Sequence, residues 1–184
     1  MSQLKIAVFV GSLRKDSFNR RLARAVEKLA PAGFAFRHVP IDGLPLYSQD
    51  FDAAYPAPAS QLKKEVEAAD GLLFVTPEYN RSIPGVLKNA IDIASRPWGT
   101  NSFAGKPAGV IGASIGTGGT ALAQQHLRNV LAYLDVPVLA QPEVFIHFKD
   151  ELIADDGTIG NDGTRKFLQG FMDNYAAWVR RFAH

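Results

Sequence analysis

The feature that most constrains this chain is a regular alternation of short apolar runs and amphipathic segments. Apolar, often β-branched runs lie at Leu4–Val10, Phe34–Val39, Gly71–Thr76, Ala108–Ala113 and Val136–Phe148. Several of these runs show no polar alternation, which is typical of parallel strands that are covered on both faces. The runs therefore predict the strands of a parallel sheet.

Amphipathic patterns fill the intervals between these runs. In the first interval Leu22, Val26 and Leu29 recur at helical spacing, and the third interval carries an apolar stripe that includes Leu87 and Ile91. The predicted helices are Phe18–Ala30, Ala59–Ala69, Gly85–Ser95, Thr120–Leu134 and Thr164–Phe182. Strands and helices that alternate in this way predict an α/β three-layer sandwich with right-handed crossovers.

The number of strands narrows the topology further. Five strands favour the flavodoxin-like order 2-1-3-4-5 over the six-stranded dinucleotide-binding arrangement. With 184 residues and 47% hydrophobic content, the chain can bury one sizeable core. It contains no repeat, low-complexity tract or interdomain linker, so a single domain over residues 1–184 is expected, with Pro40–Pro58 as a long internal connection.

Composition excludes several classes of function. A formal charge of +2, from 20 basic and 18 acidic residues, is too weak a bias to indicate nucleic acid or an anionic membrane as a partner. The absence of cysteine excludes disulfides, zinc-thiolate sites and thiol catalysis, so any redox chemistry must use a bound cofactor. No apolar run approaches the about 18 residues of a spanning helix, and the first residues lack a signal cleavage site, so a cytoplasmic protein is expected.

The predicted strand order locates a ligand site before any motif is considered. In an open parallel sheet, a ligand binds beyond the carboxyl ends of the strands where the chain order reverses. In the order 2-1-3-4-5 this point lies between the first and third strands. The loops at Gly11–Ser17 and Pro77–Pro84 are therefore the candidates, with Ser114–Gly119 beside them.

The first loop has the composition of a phosphate site. It joins a strand to the start of a helix, where unpaired N–H groups and the macrodipole favour an anion. Ser12, Ser17 and Asn19 can donate hydrogen bonds, and Arg14 can add charge-assisted ones. The loop lacks both the Gly-Lys-Ser/Thr ending and the three spaced glycines of better-known phosphate loops, so it suits the terminal phosphate of a mononucleotide. The alternative is that Ser17 only caps the helix and Arg14 is solvated.

The second loop reads TPEYNRSIPG. Pro77 and Asn80 suit a turn, and Ser82 before Pro84 is a candidate start for the next helix. A turn does not explain the run from Glu78 to Asn80 beside the predicted crevice. Backbone groups there can recognise the polar edge of a flat heterocycle, and the Tyr79 ring or the Asn80 amide can flank it.

The third loop, GASIGTGGTAL, is glycine-rich. Gly116, Gly118 and Gly119 permit positive φ and close approach of a ligand to the backbone. A cluster of this kind is a weak signal alone and is often only a helix entry. Its position beside the other two loops makes it part of the predicted site.

No catalytic or metal-binding residue stands out. His38, His126, His147 and His184 show no metal-ligand spacing, and the chain has no GxSxG motif. Glu78 is the one carboxylate of the second and third loops, and it has no second carboxylate beside it with which to share the roles of acid and base. We therefore expect no metal and no catalytic side chain.

Two segments, GSLRKDSFNRRLA and TPEYNRSIPGVLKNAIDIASRPW, together resemble the NADPH-dependent FMN reductase family, in particular its bacterial quinone, azo-dye and chromate reductase members. The similarity extends over nearly the whole chain. It implies a flavodoxin-like fold, non-covalently bound FMN, and electron transfer from NADPH or NADH to quinones or related small-molecule acceptors. The physiological acceptor and the preferred nicotinamide cofactor stay open.

The resemblance also implies roles for individual residues. Those implied to bind the FMN phosphate and its surroundings are Ser12, Arg14, Ser17 and Asn19. Those implied to line the ribityl chain and isoalloxazine are Pro77, Glu78, Tyr79 and Asn80, with Ser114 and Gly116 closing the other side. No residue is implied as an obligatory acid or base.

Related enzymes are commonly oligomers, so the resemblance implies a homodimer or homotetramer. The helix stretch Leu87–Ser95 and Trp98 are the expected interface, with Arg81 pairing with Glu143 across a subunit contact near Arg96. The alternative for Trp98 is a half-buried loop aromatic.

The working hypothesis is an oxidoreductase with a ping-pong mechanism, in which hydride passes from NAD(P)H to FMN and the acceptor then takes two electrons. Two rivals stay open: a flavodoxin-type electron carrier and a non-catalytic flavin-binding protein. Such carriers are typically acidic, and this chain is slightly basic. Charge therefore favours the reductase.

Overall fold

A computed structural model describes residues 3–183 of the chain. The strands are β1 (Leu4–Val10), β2 (Phe34–His38), β3 (Gly71–Val75), β4 (Ala108–Ser114) and β5 (Val144–His147). The α-helices are α1 (Phe18–Lys28), α2 (Ala57–Glu67), α3 (Gly85–Ala94), α4 (Ala121–Tyr133) and α5 (Asp162–Arg180). A 3₁₀ helix at Gln49–Phe51, which the sequence pattern did not predict, lies in the connection before α2.

The five strands form one parallel sheet in the order β2-β1-β3-β4-β5, which confirms the predicted topology. Strand β1 pairs with β2 on one side and with β3 on the other, so the direction of winding reverses between β1 and β3. Loops that leave the carboxyl ends of these two strands therefore diverge to opposite faces of the sheet and leave a crevice between them.

Helices cover both faces of the sheet, as the uninterrupted apolar strands predicted. On one face α2, α3 and α4 pack over Phe9 and Phe74, whose rings stack with centroids 5.0 Å apart. On the other face α1 and α5 pack over the alternate strand residues. There the buried Tyr175 hydroxyl donates a 2.8 Å hydrogen bond to the Leu72 carbonyl, and burial raises the pKa of Tyr175 well above its ordinary value.

The last strand is much shorter than predicted. The run Val136–Phe148 was expected as one strand, whereas only Val144–His147 forms β5. Pro137 and Pro142 have no N–H to donate, so they interrupt a continuous ladder. The first part of the run instead joins β4 through a single bridge and a 2.8 Å hydrogen bond from Leu139 N–H to Ala108 carbonyl. Other element boundaries differ from the prediction by a residue or two.

Within residues 3–183, no helix combines the length and the apolar character that crossing a membrane requires.

Candidate active site

Three loops converge at the carboxyl ends of β1, β3 and β4, as the strand order predicted. They enclose a cavity of about 180 Å³. Of the ten predicted binding residues, eight line it: Ser12, Arg14, Ser17, Asn19, Pro77, Glu78, Tyr79 and Ser114. Asn80 and Gly116 lie outside its lining, and Phe18, Ala113 and Ile115 complete the wall.

The backbone of the first loop presents a run of free N–H groups. Gly11 still donates to the Val75 carbonyl at 2.9 Å, but the N–H groups of residues 12–19 donate to no residue between positions 3 and 183. Arg20 N–H is the next to be bonded, to the Ser17 carbonyl at 3.1 Å. Helix α1 also has no acidic residue in its first turn. These donors and the positive end of the helix suit a phosphate.

Two side chains of this loop are already used by the protein. Ser17 caps α1, because its hydroxyl accepts a 3.3 Å hydrogen bond from Arg20 N–H. The buried Asn19 amide donates to the Ala113 carbonyl and accepts from Ala113 N–H, each at 2.9 Å, which ties α1 to β4. Ser12 is only 7% exposed, and its hydroxyl makes no hydrogen bond to the described part of the chain. Its hydroxyl is therefore left for a ligand.

Arg14 is held by an aromatic stack rather than by a carboxylate. Its guanidinium carbon lies 4.6 Å from the centroid of the Phe18 ring, and Phe18 stacks on Phe148 at 4.2 Å. Within residues 3–183 Arg14 forms no ion pair. A guanidinium that packs on a ring keeps its N–H edge available, so Arg14 can bind an anion in the cavity.

The second loop contains a tight turn. Tyr79 and Ser82 exchange two backbone hydrogen bonds, each of 3.0 Å, around Asn80 at φ 52° and Arg81 at φ 62°. Positive φ at both central residues is the requirement of a type I′ turn. Helix α3 begins afterwards at Gly85, following Pro84 and without a side-chain cap, so the expectation that Ser82 starts this helix is wrong.

Glu78 caps a different element. One carboxylate oxygen, Oε2, accepts hydrogen bonds of 3.0 Å from both Leu122 N–H and Ala123 N–H in the first turn of α4. The backbone N–H of Glu78 donates to no residue in the described range 3–183. Its side chain therefore holds α4, while its main chain stays free beside the cavity.

Glycine at Gly112 allows β4, the second loop and α4 to meet closely. A Cβ at this position would lie 2.2 Å from both the Thr76 carbonyl oxygen and Thr120 Oγ1. In the third loop only Gly119, at φ 59°, has the positive φ that was suggested for three glycines, since Gly116 and Gly118 do not. The glycine cluster thus contains one position, rather than three, whose backbone conformation favours glycine.

Exposed apolar side chains flank the cavity. Tyr79 is 53% exposed and Ile115 is 73% exposed, and both belong to its lining. Exposed aromatic and aliphatic surfaces of this kind can cover the faces of a planar ring. Sequence analysis missed Ile115 and Phe18, although both are apolar residues directly next to predicted binding residues.

The described residues contain no group of three or more His, Asp or Glu side chains placed to hold a metal ion. His38 lies 2.6 Å from Glu27 and His126 lies 3.0 Å from Ser82, both as isolated pairs. His184 lies outside the described residues. The site thus offers donors for an anion and surfaces for a flat ring, and this donor set fits FMN.

The fold defines a flavodoxin-like protein, with a candidate mononucleotide site at its switch point. Comparison with known proteins makes the assignment specific. Residues 4–151 match the family described as NADPH-dependent FMN reductase. The chain therefore belongs to the NADPH-dependent FMN reductase family, which confirms the resemblance, the FMN cofactor and the NAD(P)H-dependent reductase class predicted from the sequence.

Individual relatives are similar over almost their full length. A 2-hydroxy-1,4-benzoquinone reductase of Burkholderia sp is 59% identical over 177 residues, covering 96% of this chain and 97% of the relative. A quinone reductase of Pseudomonas putida is 47% identical over 182 residues, covering 98% and 97%. The solved structure of FerB, a flavoenzyme NAD(P)H:(acceptor) oxidoreductase from Paracoccus denitrificans, has a TM-score of 0.93 and 45% identity, covering 97% of this chain and 98% of that one.

Proposed function

We propose that this enzyme carries two electrons from NADPH or NADH to quinones through FMN bound in the three-loop cavity, by a ping-pong mechanism. NAD(P)H, a proton and a quinone then yield NAD(P)⁺ and a hydroquinone, which balances two electrons and two protons. The observation that carries the proposal is the convergence of eight predicted binding residues on one cavity at the switch point. The names of the two relatives, which specify quinones, support the choice of acceptor.

In this proposal each loop holds a different part of FMN. The phosphate lies against the free N–H groups of residues 12–19, with the Ser12 hydroxyl and the Arg14 guanidinium as side-chain donors. The planar ring lies between Tyr79 and Ile115, with the free N–H of Glu78 at its polar edge. Asn80 and Gly116, which lie outside the cavity lining, belong to the outer rim of the same site.

Bound FMN supplies the redox chemistry, accepting hydride and delivering two electrons. The chain's own residues bind, orient and cover it, and no side chain of the cavity is assigned as an acid or base. Azo dyes and chromate stay predicted as further acceptors. We also propose that the enzyme acts in the cytoplasm, because its electron donor is a cytoplasmic reductant.

The test is anaerobic mixing of the FMN-loaded protein with NADPH or NADH while flavin absorbance is followed. We expect bleaching with at least one donor and no added reductase, and recovery of the absorbance when 1,4-benzoquinone is added. A flavodoxin-type carrier would need a separate reductase before bleaching. Absence of bleaching with both donors would contradict the proposal and leave a non-catalytic flavin-binding protein.

A further inference from the structure

The turn that carries Tyr79 is fastened to α4 on both of its flanks. On the first flank, Glu78 Oε2 accepts from Leu122 N–H and Ala123 N–H at 3.0 Å. On the second, Ser82 Oγ lies 3.0 Å from Nδ1 of His126, one helical turn further along α4. Since residues 79–81 lie between these two attachments, α4 fixes the position of the whole turn.

Helix α4 depends on Glu78 for its N-terminal cap. The residue at its N-cap position, Thr120, makes no side-chain capping hydrogen bond, and the first turn contains no acidic residue. The Thr120 hydroxyl instead accepts a 2.8 Å hydrogen bond from the Gln124 side chain. A carboxylate from another element therefore satisfies N–H groups that helices usually satisfy locally, and its charge is favourable at this end of the helix.

The turn needs such support because its backbone is strained. Asn80 and Arg81 both have positive φ, and Arg81 lacks the conformational freedom of glycine. Backbone in sparsely populated regions persists only where surrounding contacts hold it. The contacts of Glu78 and Ser82 with α4 supply these constraints on either side of the two strained residues.

We propose that Glu78, Ser82 and His126 form a clamp that positions the Tyr79–Ser82 turn for FMN binding. Glu78 acts on the cofactor through α4 and through its main chain, since its carboxylate is directed at Leu122 and Ala123. All three are positioning residues, because they fix the position of the Tyr79 ring and of the free N–H groups of residues 78, 80 and 81. The inference rests on the proposed function in one respect, that FMN occupies this cavity.

The clamp is tested by measuring FMN affinity in matched variants. Apoprotein is titrated with FMN and the quenching of flavin fluorescence is followed for Glu78→Ala, Glu78→Gln and the control Asn161→Ala. The control removes a cap from α5, where Asn161 Oδ1 accepts from Thr164 N–H at 2.8 Å, away from the cavity lining. We expect about tenfold weaker FMN binding for Glu78→Ala, partial rescue in Glu78→Gln, which keeps an acceptor oxygen, and unchanged affinity in the control.

Two further measurements separate positioning from general stability. Visible circular dichroism of bound FMN should change in Glu78→Ala and not in Asn161→Ala. Amide hydrogen exchange of the apoprotein should show faster exchange at Leu122 and Ala123 in Glu78→Ala, a result that does not depend on FMN. Lower thermal stability with unchanged FMN affinity and dichroism would overturn the clamp and leave Glu78 as a helix cap only.

The second attachment is tested by a double-mutant cycle. If Ser82 and His126 act through their contact, the loss of FMN affinity in the double variant Ser82→Ala with His126→Ala matches that of either single variant. Fully additive losses, or none, would overturn this half of the clamp. Should Ser12→Ala and Arg14→Ala weaken FMN binding while Glu78→Ala does not, the clamp alone fails. If all three variants leave FMN affinity unchanged, the assignment of FMN to this cavity fails as well.

Discussion

At the scale of single residues, several polar side chains of the site hold the neighbouring helices and strands in place. Ser17 caps α1, Asn19 holds β4 and Glu78 caps α4. The sequence left open whether Ser17 is a cap or a ligand donor; the structure shows the cap, and the donor role stays a prediction. The cap uses the Ser17 oxygen as an acceptor and leaves its hydroxyl hydrogen free, so main-chain N–H groups, Ser12, Arg14 and the Ser17 hydroxyl are the donors left for a phosphate.

Arg14 is the residue whose removal best tests the phosphate assignment. Replacing it in Arg14→Ala removes a charge-assisted donor from the cavity without removing a helix cap. Hydrogen bonds to charged groups contribute about 1.5–3 kcal/mol, so FMN affinity should fall by roughly 10- to 100-fold. Fluorescence titration of the apoprotein measures this change directly.

A matched control is available on the far side of the molecule. Arg180 lies over the Phe34 ring at 5.1 Å, so Arg180→Ala also removes a cation–π contact but lies outside the cavity. Its FMN affinity should equal that of the unmodified protein. Equal affinities for the two variants would contradict the role assigned to Arg14.

At the scale of elements, the sequence predicts best where periodicity alone defines the element. The apolar stripe with Leu87 and Ile91 places α3 almost to the residue, because both side chains face the core. The run at 136–148 misleads, since its hydrophobicity is continuous while its prolines prevent continuous pairing. The capping of α4 by Glu78 could not be predicted from sequence patterns, because Glu78 and Leu122 are 44 residues apart and no local rule connects them.

The junction of β4, the second loop and α4 predicts a large effect for one methyl group. Gly112→Ala would place Cβ within 2.2 Å of the Thr76 carbonyl oxygen and Thr120 Oγ1, and the backbone carbonyl cannot move without shifting the loop. Overpacking of a core typically costs about 1–3 kcal/mol, and a clash with backbone belongs at or above the upper end of this range. Urea unfolding should therefore show a loss of about 3 kcal/mol or more.

Gly118 provides the comparison for this substitution. It lies in the loop before α4, has ordinary φ, and a Cβ there would meet no atom within 4 Å. Gly118→Ala should thus change the unfolding free energy by less than about 1 kcal/mol, in either direction. A similar loss in both variants would show that loop stiffness, rather than close approach at Gly112, limits stability.

At the scale of the whole molecule, strand order alone located the cavity, because the switch point is a property of topology. The surface that a second copy contacts is harder to predict from the sequence. The apolar residues of the stretch Leu87–Ser95 are buried in the chain's own core, so they offer no contact to a second copy. A sequence shows that a helix has an apolar face but not which partner covers it.

Exposed aromatic residues beside α3 and α4 form the surface where we expect a second copy to bind. Trp98 is 76% exposed, which excludes the half-buried alternative, and Tyr133 is 69% exposed. Tyr133 and Arg96 line a groove of about 380 Å³ between the two helices, and the Arg96 guanidinium lies 5.7 Å from the Trp98 ring. Arg81 and Glu143 form no ion pair within residues 3–183, so pairing between subunits stays a prediction. Aromatic residues and arginine are the types enriched at protein interfaces.

We therefore expect a homodimer or homotetramer that depends on this aromatic patch. Light scattering coupled to size-exclusion chromatography should give a multiple of 20.0 kDa for the unmodified protein. Trp98→Glu combined with Tyr133→Glu should dissociate the assembly, because it puts two charges into a contact that must lose water. Phe167→Glu, an equally drastic change at a partly exposed residue of α5 on the opposite face, should leave the mass unchanged. A monomeric unmodified protein would contradict the assembly, whereas an intact oligomer of the double variant would place the interface on another surface.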